Sequence, residues 1–170
     1  MNYHCQKLKS GLYLVATPLG SARDITLRAL DVLCSCDALA AEDTRSMRKL
    51  LNIHNIPLKD RPILSYNDFN GDRVRPTIMN WLNSNMAVAY ASDAGMPLIA
   101  DPGYQLSKQA AEAGFYVTAV PGASACITAL SLSGLPTDRF FFEGFLPVSK
   151  EKRRQKLREL SSIPSTLIFY

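Results

Sequence analysis

The chain has 170 residues, with 19 lysines and arginines against 15 aspartates and glutamates and a formal net charge of +4. This length gives one domain a full core and leaves little room for two. The 47% apolar and 20% charged residues are typical of a globular protein, and the mild positive charge permits an anionic partner without requiring one. No apolar run reaches transmembrane length and no apolar signal region stands near residue 1. We therefore expect a cytoplasmic protein without a membrane partner.

The cysteines and histidines have no metal-binding spacing. The four cysteines are Cys5, Cys34, Cys36 and Cys126. Cys34 and Cys36 lie in a helical pattern, where side chains two residues apart do not face each other, so we expect four reduced thiols. His4 and His54 are too few and too scattered to form a metal site. The sequence thus predicts no bound metal.

Strand-like and helix-like segments alternate through most of the chain. Strands are predicted at residues 12–17, 38–42, 63–66, 86–91 and 116–120. Helices are predicted at residues 25–36, from 43 or 44 to about 53, at 75–83, at 104–113 and from the PGASA turn to about 133. Strict alternation favours an α/β fold, which we expect to be a five-stranded, mainly parallel sheet flanked by helices.

Individual residues refine these helices. Asp24 is a plausible N-cap for the first helix, and Gly114 is the expected end of the fourth. In the second helix, Leu50, Leu51 and Ile53 are the expected buried side.

The pattern changes after Gly134, which predicts a domain boundary between residues 134 and 135. Residues 135–170 contain four phenylalanines, a basic helix and the apolar run TLIFY. The basic side chains of that helix are Lys150, Lys152, Arg153, Arg154, Lys156 and Arg158. They form either a solvated face or a contact with an RNA backbone. Because a domain rarely ends on an unprotected apolar strand, we expect a piece of a longer protein, ending in the first strand of a second α/β domain.

The most informative stretch is SDAGMPLIADPG, residues 92–103. Gly95 and Gly103 permit backbone conformations or close approaches that a Cβ forbids, while Pro97 and Pro102 stiffen the loop. Such a loop at the carboxyl end of a strand is where an open α/β sheet binds its ligand. An ordinary surface connection is the alternative.

Four such loops are expected to meet, because parallel strands place their carboxyl ends at one edge. They are TPLG, AEDTR, SDAGMPLIADPG and VPGASA. Glycine-rich turns with carboxylates suit a flat, polar, partly cationic ligand, and Asp93 or Asp101 can face an amine, a sulfonium or ribose hydroxyls. The GxGxxG dinucleotide fingerprint is absent. These patterns predict a nucleotide-like ligand at this edge.

Eight motifs in register resemble the tetrapyrrole-methylase superfamily of S-adenosylmethionine-dependent enzymes. They are LYLVATPLG, DITLRAL, AAEDTR, RKLL, SDAGMPLIADPGY, VPGASA, GLPTDRFFFEGFLP and TLIFY. The resemblance is greatest to the branch that methylates a ribose 2′-hydroxyl, of cytidine 1402, in 16S rRNA. It implies two α/β domains with the cofactor in the cleft between them, a homodimer, and the small ribosomal subunit as partner.

The resemblance also implies site residues. The cofactor-binding positions would be Leu19, Gly20, Asp93, Ala94, Gly95, Pro97, Leu98, Ile99, Ser124 and Ala125. The chain departs from the family pattern at Ser21, Met96 and Ala123, where the family usually has Asn, Thr and Pro. It also has YNDFN at residues 66–70 where the family has YHEHN, so a base supplied there by histidine in relatives must come from another group.

A ribose hydroxyl becomes a good nucleophile as its proton is removed, which requires a nearby base. Glu42 and Asp43 are the candidates, with Arg45 available to orient a carboxylate or hold a phosphate, and Asp101 in reserve. Asp43 is equally well explained as a helix N-cap. The cations available for rRNA phosphates are Arg23, Arg45, Arg48, Lys49, Arg73 and Arg75.

Two alternatives remain open at this point. One is a methyltransferase of the same superfamily that acts on a tetrapyrrole or corrin ring. The other is a nucleotide-binding or dimerising module without catalysis.

Overall fold

The computed structural model describes residues 3–170, which form two compact units. The first unit extends to Ala123 and the second is Ser124–Tyr170. Elements of the first are β1 (Gly11–Val15), α1 (Leu27–Ser35), β2 (Ala38–Ala41), α2 (Thr44–Ile53), β3 (Ile63–Ser65), α3 (Gly71–Asn83), β4 (Ala87–Ala91), α4 (Tyr104–Glu112) and β5 (Val117–Val120). Elements of the second are α5 (Ala125–Leu132), β6 (Phe140–Gly144), α6 (Lys150–Leu160) and β7 (Thr166–Phe169).

The first unit contains a five-stranded sheet in the order β3-β2-β4-β1-β5. Every neighbouring pair of strands in it is parallel, which confirms the predicted α/β class. Every residue of β1, β2 and β4 is buried, as expected of inner parallel strands covered on both faces. The carboxyl ends of all five strands therefore lie at one edge.

Alternate residues of each strand pack into two separate cores. On one face, Tyr13 and Ala89 join a cluster with Leu30 and Leu33 of α1. On the other, Tyr90 joins a cluster with residues of α3 and α4. This period of two follows from the pleat of the strands. The apolar runs read as buried strands in the sequence are thus sandwiched between helices.

Three helix details differ from the prediction. Helix α1 begins at Leu27, and its N-cap is Thr26 rather than Asp24, because the Thr26 hydroxyl accepts a hydrogen bond from the Ala29 amide at 3.1 Å. Helix α3 begins at Gly71, earlier than the predicted residue 75. In α2 the buried side chains are Met47 and Leu51, whereas Ile53 is 49% exposed.

The prediction of four reduced thiols is wrong, since Cys5 and Cys34 form a disulfide with their Cα atoms 5.5 Å apart. The extended segment before β1 lies along α1, where the His4 amide donates to Asp31 at 2.6 Å and the Gln6 amide donates to Ser35 at 3.0 Å. These contacts bring Cys5 to the helix. Cys36 and Cys126 are free and buried.

The described residues were compared with the requirements of metal sites and of membrane-spanning helices. Among residues 3–170, no group of histidine, cysteine and carboxylate side chains is arranged to hold a metal ion. Over the same residues, no helix has the length and apolar character needed to span a bilayer.

The second unit begins at Ser124, before the boundary predicted at residue 134, because α5 packs within it. Cys126 and Leu130 of α5 form a small core with Ile168 of β7 and the half-buried Phe142. Strand β7 lies in the TLIFY run and pairs in parallel with β6, which precedes it in the chain.

Candidate functional site

The first turn and the central loop are tied together at the carboxyl edge of the sheet. Thr17 and Gly95 form an antiparallel bridge, with the Thr17 amide donating to Gly95 at 2.9 Å and the Gly95 amide donating to Thr17 at 3.0 Å. The Thr17 hydroxyl donates to the Ser92 carbonyl at 3.2 Å. The predicted cofactor positions Leu19 and Gly20 therefore lie next to Asp93, Ala94 and Gly95.

The two glycines of the central loop have the roles that the sequence predicts. Gly95 has a φ of 82°, and a Cβ there would lie 3.3 Å from the Leu19 side chain. Gly103 has a φ of 118°, and its Cβ would lie 2.4 Å from Tyr90. The Tyr90 hydroxyl donates to the Pro102 carbonyl at 2.7 Å, which holds the end of the loop against β4.

The middle of this loop is only partly buried. Pro97 is fully buried and Leu98 is half-buried, but Ile99 is 40% exposed. Leu98 and Ala100 have φ angles of 73° and 58°, a left-handed conformation that costs energy for residues with a Cβ. Such strain is concentrated at ligand-binding and catalytic segments.

Ser124 and Ala125 lie in the second unit, at the start of α5. Ser124 is the N-cap residue, and its hydroxyl lies 3.3 Å from the sulfur of Cys126 rather than bonding to the helix. Their role in cofactor binding stays a prediction.

Glu42 follows β2 directly and lies partly buried beside the central loop. Its carboxylate accepts a hydrogen bond from the Asp93 amide at 3.1 Å. Burial raises the pKa of Glu42 above its ordinary value, and the nearby carboxylates of Asp93, Asp101 and Asp68 raise it further, against the lowering effect of the Asp93 amide. A carboxyl group with a raised pKa is a better proton acceptor when ionised.

Asp43, the next residue, has the opposite environment. Its carboxylate caps α2 by accepting from the Arg45 amide at 2.7 Å and also binds the Arg45 guanidinium, at 2.7 Å to the nearest nitrogen. These hydrogen bonds lower the pKa of Asp43 to about 2. Asp43 is therefore the N-cap that the sequence allowed, and its low basicity makes it a weaker candidate base than Glu42.

Asp101, the reserve candidate, lies near Glu42 at the far end of the loop. Burial raises its pKa, and Asp93 and Asp68 raise it further, while the Ser92 hydroxyl partly offsets the rise. Asp68 and Asp93 raise the pKa values of both Glu42 and Asp101, so these four carboxylates lie close enough to interact electrostatically. This acidic edge favours a cationic ligand.

Three cavities open along the edge. One of about 240 Å³ lies between the first turn, α2 and the central loop, and Lys49 is among its lining residues. A second of about 260 Å³ is lined by Asp101, Tyr104 and residues of the β3–α3 loop. A third of about 370 Å³ is lined by Glu42, Asp43, Arg45 and Asp93 with Phe69. Glu42 thus lines an open cavity.

The cations predicted to bind RNA are only partly available. Arg45 is bound to Asp43, although its side chain is 89% exposed. Arg75 pairs with Asp72 at 2.7 Å and is 20% exposed. The remaining predicted cations are exposed and form no ion pair with another residue of the described range 3–170; they are Arg23, Arg48, Lys49 and Arg73.

Sequence reasoning missed Phe69 as a residue of this edge. The YNDFN stretch at residues 66–70 was compared with the family pattern only for its missing histidines. No function is predicted for Phe69 from the sequence. The chemical signal was present, because an aromatic residue in a polar NDFNGD turn has no apolar neighbours in sequence with which to form a core.

A parallel sheet covered on both faces, with glycine-containing and acidic loops at its carboxyl edge, defines a ligand-binding domain of the α/β class. The family model of the tetrapyrrole (corrin/porphyrin) methylases matches residues 11–170. The chain therefore belongs to this family of methylases.

Curated relatives named ribosomal RNA small subunit methyltransferase I are similar over nearly the whole chain. The protein of Halalkalibacterium halodurans is 46% identical over 99% of this chain and 57% of its own length. That of Vibrio cholerae is 48% identical over 94% of this chain and 54% of its own length. The chain thus spans little more than half the length of these relatives.

Solved structures support the fold. Diphthine synthase superposes with a TM-score of 0.73 at 17% identity, over 94% of this chain and 64% of its own. The uroporphyrin-III-C-methyltransferase of Thermus thermophilus superposes with a TM-score of 0.62 at 20% identity, over 92% of this chain and 76% of its own length. At these identities the likeness concerns architecture alone.

Proposed function

We propose that this chain belongs to an S-adenosylmethionine-dependent enzyme that methylates 16S rRNA of the small ribosomal subunit. The observation that carries the proposal is the 46–48% identity, over 94–99% of the chain, to relatives named for ribosomal RNA methylation. The chain spans 54–57% of the length of those relatives, so methylation of 16S rRNA is stated here as a proposal.

The acidic edge fits S-adenosylmethionine, which carries a sulfonium cation, an amine and ribose hydroxyls. The exposed Asp93 carboxylate suits hydroxyl or amine donors. A Cβ on Gly20 would meet no atom within 4 Å, whereas a Cβ on Gly95 would lie 3.3 Å from the Leu19 side chain. When bound, the cofactor supplies an electrophilic methyl group. Residues that would hold it are Leu19, Gly20, Asp93, Ala94, Gly95, Pro97, Leu98 and Ile99.

Glu42 is the proposed general base. It follows β2 at the sheet edge, faces the 370 Å³ cavity, and has a pKa raised by burial and by neighbouring carboxylates. A ribose 2′-hydroxyl that enters this cavity would transfer its proton to the Glu42 carboxylate, which would make the hydroxyl oxygen a better nucleophile. Asp101 has a pKa raised for the same reasons and is the reserve.

Arg45 is the proposed phosphate-binding residue. Its guanidinium is held in place by Asp43 yet is 89% exposed, so it can present N–H groups to an RNA phosphate. Asp43 then acts as a positioning residue, since its pKa of about 2 keeps it ionised and bound to Arg45.

Methyl transfer to isolated small ribosomal subunits tests these roles. We expect Glu42→Gln to lower the rate by about 10²–10⁴-fold and to remove the acid limb of the pH–rate profile. Because the pKa of Glu42 is raised above 4.5, the midpoint of that acid limb should lie above pH 4.5 in the unchanged protein. Asp43→Asn should weaken RNA binding without moving the limb. A profile unchanged by Glu42→Gln would exclude Glu42 as the base.

Two finer predictions come from the resemblance alone. The target would be the 2′-hydroxyl of cytidine 1402, which mapping of the methylated nucleotide in treated subunits would test. The enzyme would be a homodimer, which sedimentation would test.

A further inference from the structure

Phe69 is the most exposed apolar side chain at the carboxyl edge, with a relative exposure of 102%. It stands in the β3–α3 loop between Asp68 and Asn70. A single exposed phenylalanine is ordinary on a protein surface. This one, however, lines the same cavity as Glu42, Asp43, Arg45 and Asp93, so its position relative to the candidate site is what calls for an explanation.

The loop holds Phe69 outward by a network of side-chain hydrogen bonds. The Asn67 side-chain oxygen accepts from the Phe69 amide at 3.1 Å and from the Asn70 amide at 3.2 Å. The Asn70 side-chain oxygen accepts from the Asn67 amide at 2.9 Å, and its nitrogen donates to the Ser65 carbonyl at 3.1 Å. The two asparagines thus fix the turn to the end of β3, and the ring is presented without a backbone rearrangement.

Three chemical groups surround this cavity. Glu42 offers a partly buried carboxylate, Arg45 an exposed guanidinium and Phe69 an exposed aromatic face. A nucleotide in single-stranded RNA has the complementary parts, namely a sugar hydroxyl, a phosphate and a planar base. Unpaired RNA bases are commonly bound by stacking on aromatic side chains.

We infer that Phe69 is a stacking platform for an unpaired RNA base, either the base of the methylated nucleotide or its neighbour. The inference rests on the proposed function, because it assigns the substrate of that site. Stacking would fix the base while Arg45 holds a phosphate and the ribose reaches Glu42. Phe69 is then a determinant of RNA binding, and the unpaired form of the RNA is the form bound.

Binding of a short single-stranded RNA carrying 2-aminopurine, followed by fluorescence, tests this. The unchanged chain should quench the probe as the base stacks, and Phe69→Ala should bind about tenfold more weakly and lose the quenching. Phe69→Trp should retain both, whereas Phe69→Leu, which keeps an apolar side chain without a ring system, should not. Leu132→Ala removes an 81% exposed side chain from the second unit and should change neither.

Several results would overturn the inference. Equal RNA affinity and quenching for Phe69→Ala and the unchanged chain would do so, as would the absence of RNA binding by the unchanged chain. A loss of S-adenosylhomocysteine affinity in Phe69→Ala, with RNA binding intact, would assign the ring to the cofactor instead. A change of sedimentation alone would assign it to a contact between copies.

Failure of the proposed function would look different. The unchanged chain would then bind RNA through Phe69, and no methyl transfer to small ribosomal subunits would be detected.

Discussion

The two units use the same strand–helix–strand pattern with very different burial. In the first unit, all five residues of β1 and all five of β4 are buried between two layers of helices. In the second, the described residues form a two-stranded sheet of β6 and β7, and Phe140 and Phe141 are 43% and 38% exposed. Apolar sequence alone therefore does not determine burial. A parallel strand is fully buried only when it has neighbours on both edges and helices on both faces.

Helix starts differ in the same way. In the first unit, Thr26 and Asp43 cap α1 and α2 through side-chain hydrogen bonds. In the second, Ser124 and Ser149 occupy the N-cap positions of α5 and α6 without such a bond. Asn70 and Gly103 precede α3 and α4 of the first unit and also lack this bond, so among the described helices side-chain capping is confined to α1 and α2.

The largest effect is expected at Gly103 in the first unit. Gly103→Val adds a Cβ that would lie 2.4 Å from Tyr90 at a φ of 118°, so we expect the free energy of unfolding to fall by about 3 kcal/mol or more. Gly114→Ala is the matched control, because its φ is 78° but its Cβ meets nothing within 4 Å, and it should cost about 1–2 kcal/mol. Urea denaturation measures both, and equal losses would refute the role of the Tyr90 contact.

A core substitution in each unit tests the difference in burial directly. Leu39→Ala removes a side chain with 0% exposure and should cost about 2–5 kcal/mol. Phe141→Ala removes a larger side chain that is 38% exposed and should cost about 1–2 kcal/mol. If urea denaturation gave a larger loss of unfolding free energy for Phe141→Ala than for Leu39→Ala, the claim that the first unit has the more buried strands would be contradicted.

The capping difference predicts a smaller pair of effects. Thr26→Ala removes the bond to the Ala29 amide and should cost about 1 kcal/mol. Ser149→Ala, at an N-cap whose hydroxyl bonds the exposed Glu151 side chain but no backbone amide of the helix, should leave the urea midpoint nearly unchanged. Similar losses in the two variants would contradict the assignment of caps.

The smallest effect concerns pH. Because the pKa of Asp43 is lowered to about 2, its ionised form stabilises the folded chain above the unfolded value of about 3.9. That stability is lost as the pH falls from about 4 toward 2. We expect unchanged chain and Asp43→Asn to differ in urea midpoint at pH 7 and to converge near pH 2. A difference in urea midpoint that persists near pH 2 would show that the ionised Asp43 carboxylate is not its cause.

The sheet and its edge could be predicted from the sequence because the relevant signals are local. Apolar runs such as residues 86–91, followed by glycine and proline, specify strands that end in structured loops. Gly95 and Gly103 could likewise be identified as positions requiring glycine.

Other features depend on contacts between distant residues. The disulfide forms because the segment before β1 lies along α1, which the spacing of Cys5 and Cys34 does not reveal. Glu42 and Asp43 are equivalent in sequence, and only burial beside Asp93 and pairing with Arg45 separate their pKa values. The exposure of Phe69 depends on how Asn67 and Asn70 close their turn.

The most direct test of the account is calorimetric titration of this chain with S-adenosylhomocysteine. We predict micromolar binding to the unchanged chain, about −8 kcal/mol. Gly95→Val should abolish this binding, because a side chain at position 95 would meet Leu19. Gly114→Ala, away from the edge, should bind as the unchanged chain does. Equal affinity in Gly95→Val and the unchanged chain would contradict the placement of the cofactor at the carboxyl edge of the five-stranded sheet.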